Sequence, residues 1–151
     1  MPETAALRRY MAAAVTLPDG RMMLTGGYDR PWKEKAAPQP LNTVLLLSPG
    51  ESRWYAGPTM NLARARHAAV VLPDGRVLVI GGYSQNATAS VELYDPHQET
   101  WTFIDPLDQP RYDHVATTDG RFVYVVGGSS QSMLSGVEVI PVDRSAIVSQ
   151  P

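Results

Sequence analysis

The chain has 151 residues, 44% hydrophobic and 19% charged, with a formal net charge of −2 and no cysteine. That is long enough for one ordinary domain with a core, and the composition excludes a disordered tail. The near-neutral balance gives no ground for a nucleic-acid or anionic-membrane partner, and the missing cysteines exclude disulfides, thiolate nucleophiles and cysteine-ligated metals.

The N-terminal stretch MPETAALRRYMAAAV shows no apolar core of a secretory signal, and no run approaches the ~20 apolar residues of a membrane span. A cytoplasmic setting is the expectation.

The first element is Arg9 to Tyr28, RYMAAAVTLPDGRMMLTGGY, in which two strand-like runs flank the turn Leu17-Pro18-Asp19-Gly20. Gly26-Gly27 closes the second run. A long loop to Asn42 follows, then a strand at Thr43–Leu47, a turn at Ser48-Pro49-Gly50, and Arg53-Trp54-Tyr55. The same phrase returns as RARHAAVVLPDGRVLVIGGY, Arg64 to Tyr83. It predicts strands at His67–Leu72 and Val77–Ile80 around Pro73-Asp74-Gly75, with Gly81-Gly82 at the exit. Alternation predicts a third strand at Ser90–Asp95, and Thr100–Ile104, carrying Trp101, is the fourth.

A third copy, Arg111 to Ser129, keeps Asp119-Gly120 and Gly127-Gly128 and leads to a strand at Gly136–Ile140. No tryptophan follows it, so its fourth strand is either missing or supplied from elsewhere. A repeat of roughly 45–55 residues ending in a glycine pair signals a propeller or solenoid.

These marks resemble the Kelch repeat: the starting Arg, the Asp-Gly turn, the Gly-Gly pair, then Val91-Glu92-Leu93-Tyr94-Asp95-Pro96 and Trp101. The resemblance implies an all-β segment of a Kelch-type β-propeller, made of four-stranded antiparallel blades. The organisation expected is a single domain, 1–151, with repeats at about 9–63, 64–110 and 111–145. Propellers close with about four to eight blades, so three blades with the last incomplete do not close a ring. The chain is then a piece of a longer propeller, one half of a self-associated ring, or an open arc.

With the strands of a blade named A to D, the D-to-A and B-to-C loops share one face. Candidate binding residues on it are Arg9, Arg30, Trp32, Lys33, Arg64, Arg66, Tyr83, Arg111 and Tyr112. The recurring arginines admit two readings: a ring of guanidinium groups gripping an acidic peptide, or hydrogen bonds to carbonyls of a neighbouring blade. The long loop after Tyr28 is either a binding loop carrying Arg30 and Trp32 or a solvated insertion. Gly26, Gly27, Gly81, Gly82, Gly127, Gly128, Tyr94, Trp54 and Trp101 belong to the scaffold, both tryptophans as inter-blade core.

His67, His97 and His114 have no metal-ligand spacing, and no catalytic motif is present, so neither metal, cofactor nor enzymatic activity is expected. Kelch-type copper-radical oxidases use a cysteine crosslinked to tyrosine, which this chain cannot form. The resemblance implies a protein-binding scaffold that recognises a partner through the loop face. The alternative is part of a carbohydrate-active or sugar-binding propeller.

Overall fold

Each Asp-Gly turn holds its own hairpin together. Asp19 and Asp74 accept the amides of Arg21 and Arg76 at 2.9 and 3.1 Å, and Asp119 accepts that of Arg121 at 2.8 Å. Gly75 sits at φ +88°, a left-handed conformation that a side chain would strain. The computed structural model describes residues 7–32 and 35–142, and over these it is all-β.

Blade 1 is β1 (Ala13–Thr16), β2 (Met22–Thr25), β3 (Val44–Leu47) and β4 (Tyr55–Ala56). Blade 2 is β5 (Ala68–Val71), β6 (Val77–Ile80), β7 (Val91–Asp95) and β8 (Thr100–Ile104). Blade 3 is β9 (Val115–Thr118), β10 (Phe122–Val126) and β11 (Val137–Pro141). All three are antiparallel meanders, of 4, 4 and 3 strands among the described residues, with β11 at the outer edge of the last. The three sheets form an unclosed propeller segment.

The core lies between blades. Met23, Val44, Leu46 and Met60 of blade 1 and its linker pack against Val77, Val79, Tyr94 and Trp101 of blade 2. Leu78, Ile80 and Val91 turn the other way, onto Val123 and Val125 of blade 3. Strand β6 is therefore buried on both faces, which is why Val77–Ile80 reads as an unbroken apolar run. At the two ends of the arc one sheet face stays bare: Ala14, Thr16 and Met22 on blade 1, and Val115, Val126, Val137 and Val139 on blade 3.

Blades approach closely at the glycine pairs. A Cβ on Gly26 would lie 2.3 Å from the carbonyl oxygen of Arg64, so only glycine fits. Trp101 is buried, in tilted ring contact with Tyr94 at 5.0 Å, and donates Nε1–H to Pro58 O at 2.9 Å. Trp54 occupies the same phase in blade 1 but is only half-buried and belongs to neither core cluster.

Candidate partner-binding face

The arginine that opens each blade turns inward. The main chain of Arg64 is bonded to blade 1: its N–H donates to Leu41 O at 3.0 Å, and its carbonyl accepts Gly27 N–H at 2.9 Å. Its guanidinium is bonded to blade 2, donating to Gly81 O and Ser90 O at 2.9 Å and pairing with Glu92 at 2.8 Å. Arg111 repeats this one blade on. Its carbonyl accepts Gly82 N–H at 2.7 Å, while its side chain reaches Gly127 O (2.9 Å), Gly136 O (3.2 Å) and Glu138 (2.5 Å).

Arg9 makes the corresponding bonds to Gly26 O and Thr43 O, but Leu45 stands where the other blades have glutamate, and Thr43 Oγ1 accepts instead at 2.8 Å. Arg64 and Arg111 are buried and so do not form a ring of charge at the mouth. The carbonyls they meet belong to their own blade, not to a neighbour.

Glu92 and Glu138 complete these clasps by accepting the amides of Asn61 and Leu62 and of Asp108 and Gln109 respectively. Both glutamates follow their arginine in phase, 28 and 27 residues on, and that regularity was the signal available in the sequence.

Three residues beyond these arginines, His67 Nε2 meets Thr25 Oγ1 at 2.8 Å and His114 Nε2 meets Ile80 O at 2.9 Å, each across a blade boundary. Burial pushes His67 down to about 3, helped by the nearby Arg64 charge, and burial likewise lowers His114. Both imidazoles are neutral structural groups.

The loop face brings several candidates together. Bridges Tyr10–Tyr28, Ala65–Tyr83 and Tyr112–Ser129 tie each D-to-A segment to the B-to-C loop of its own blade. Tyr83 and Tyr112 meet edge-to-face at 5.4 Å, and Arg66 Cζ lies 4.4 Å over the Tyr112 ring. Arg66 also pairs with Asp113, a residue in the same phase one blade on. Met11, Arg66 and Asp113 occupy equivalent positions, all left-handed at φ 55°, 58° and 55°. Arg66 N donates to Met11 O at 2.8 Å and Asp113 N to Arg66 O at 3.0 Å, a main-chain ladder running from blade to blade.

In the first B-to-C loop, Trp32 is 64% exposed and rests edge-on against buried Tyr28 at 5.9 Å. Arg30 pairs with Asp29 at 2.8 Å. Lys33 lies outside the described residues. Asp113, Tyr10 and Tyr28 join the face without having been singled out as binding residues. Among the described residues no group of three or more His, Cys, Asp or Glu side chains is placed to hold a metal, and no helix is long and apolar enough to cross a membrane.

Blades built around arginine clasps, with loops gathered on one face, define a β-propeller segment. Two stretches, 8–61 and 64–107, match the family model described as the Kelch motif. The chain belongs to the Kelch-repeat family.

It is similar to beta-scruin of Limulus polyphemus, 33% identical over 80% of this chain and 13% of that protein, and to alpha-scruin of the same organism, 30% identical over 72% and 12%. Kelch domain-containing protein 7A of Mus musculus is 35% identical over 64% of this chain and 12% of its own length. The chain thus spans only a small part of the curated relatives it matches. Such kinship supports a protein-interaction module in general terms.

Proposed function

We propose that the chain is a non-enzymatic binding module whose D-to-A and B-to-C loop face holds a protein or peptide partner. The observation that carries this is the convergence of Arg66, Tyr83 and Tyr112 from two blades, with Trp32 exposed on the same face. Tyr, Trp and Arg dominate interface energies, and here they are presented on a rigid scaffold. A preference for acidic partners enters through Arg66 and Arg30. Each holds an internal carboxylate that the partner's carboxylate would have to displace.

The three repeats act as one domain in this reading, in a cytoplasmic setting. The bare end faces further imply self-association that extends or completes the ring, because large exposed apolar surface is unusual on a monomer. Selection of a displayed peptide library on the whole chain tests the main reading. A selected peptide must lose binding to the double variant Trp32→Ala, Tyr112→Ala while that variant melts as the parent does.

A further inference from the structure

Strand β8 is the outer strand of blade 2, and among the described residues nothing pairs with its far edge. It runs for five residues, Thr100–Ile104, where the outer strand of blade 1 has only Tyr55–Ala56 and passes straight into Gly57 and Pro58. Short strands and prolines are two ways in which sheet edges are closed to other chains. Neither device occurs within Thr100–Ile104, and none of its residues is charged.

The direction of its main-chain groups follows from the ladder. Gly81 N donates to Ser90 O at 3.0 Å, so Ser90, Glu92 and Tyr94 turn their main-chain groups to β6, and Val91, Leu93 and Asp95 turn theirs to β8. Their partners Ile104, Thr102 and Thr100 therefore face inward, and the amides and carbonyls of Trp101 and Phe103 face out. The bond from Asn61 Nδ2 to Trp101 O at 3.0 Å agrees with that direction. It takes one outward acceptor and leaves the Trp101 and Phe103 amides and the Phe103 carbonyl to an incoming strand. The Phe103 side chain, 46% exposed, stands beside them.

Glu99 and Asp105 are exposed at the two ends of this strand. Two copies paired antiparallel about Thr102 would bring Glu99 of each toward Asp105 of the other, and like charges opposite one another are destabilising. The edge is guarded against its own kind but open to a strand with basic ends.

We propose that the outer edge of β8 is a strand-addition site for an extended segment of a protein partner, uncharged and β-branched in its middle, with a lysine or arginine at each end. Antiparallel pairing sets its central residue opposite Thr102, its β-branched side chains against Trp101 and Phe103, and its basic ends against Asp105 and Glu99. This rim is separate from the loop face, so neither reading depends on the other.

The probe is the peptide Lys-Thr-Val-Thr-Val-Thr-Lys, titrated into the isotope-labelled whole chain and followed by NMR. Saturable shifts are expected at the Trp101 and Phe103 amides, with affinity at least about tenfold above that of the same peptide carrying glutamate at both ends. Glu99→Lys with Asp105→Lys changes two exposed side chains, so this variant should melt as the parent does and prefer the glutamate peptide. The proposal is overturned by any of four results: no saturable binding, equal affinity of the parent for the two peptides, shifts confined to other blades, or a folded charge-reversed variant that keeps the parent's preference.

Discussion

Arg64 and Glu92 meet at 2.8 Å with both side chains 0% exposed, one at the entrance to blade 2 and the other in its third strand. A buried cation and anion lose their hydration, and the chain restores most of the lost hydrogen bonds, although Arg64 Nε is buried without a partner. Here two carbonyls face the guanidinium, and two amides face the carboxylate.

Removing one partner leaves the other charge stranded. Glu92→Leu should cost about 3–5 kcal/mol in urea unfolding, and Arg64→Met a comparable amount. The double variant should lose clearly less than the sum, because each deletion removes the penalty left by the other. Additive losses would show that the pair is not coupled.

The inter-blade histidines set an acid limit. Buried His67 titrates near 3 in the folded chain against about 6.5 when unfolded, so between those values the unfolded state holds the extra proton. Stability should be level above pH 6.5 and fall below it, by about 1.4 kcal/mol per pH unit for a histidine that stays neutral. His114, lowered in the same direction, adds to the slope. Denaturation midpoints from pH 7 to 5 check this, and His67→Gln should remove its share of the dependence.

Met11 holds a left-handed backbone at φ 55° that a methionine side chain disfavours. Met11→Gly should raise stability by up to about 1 kcal/mol, whereas Met11→Val should lower it. Thermal melts of the two variants separate them.

At the loop face, Trp32→Ala should leave the melting temperature nearly unchanged, since the ring is mostly in solvent. Affinity for a selected peptide should drop by tenfold or more, the usual scale of an aromatic anchor. An equal loss of fold stability would give Trp32 a packing role instead.

Blade 3 presents Val115 at 66%, Val137 at 55% and Val139 at 49% exposure. Light scattering should give a mass above that of one chain, and Val115→Glu with Val137→Lys should return it to one chain. A monomeric parent with a cooperative melt and no aggregation would end the self-association reading.

The architecture was legible in the sequence because its marks are local. Asp74-Gly75 and Gly81-Gly82 need particular backbone angles and close approach, which few residues allow. The arginines were not legible in the same way. A repeated Arg gives its phase but not whether its guanidinium turns to the mouth or back into the sheet.

The deciding residues, Glu92 and Glu138, sit 28 and 27 residues further on along a different strand, and Leu45 breaks the pattern in the first copy. Left-handed Met11 and Arg66 left no trace, since neither residue type favours that conformation. Trp54 shares the phase of Trp101 yet lies outside the core clusters, because phase says nothing about whether a neighbouring sheet is present.

Because Arg64 and Arg111 anchor their main chain in one blade and their charge in the next, the blade is not the interchangeable part of this molecule. A graft or deletion cut at the end of the fourth strand would carry the arginine away from the glycine loop it secures. A cassette running from one glycine pair to the next would keep each arginine with the loop behind it, and the receiving sheet would have to offer two carbonyls, an acid and a third strand to pair with the second.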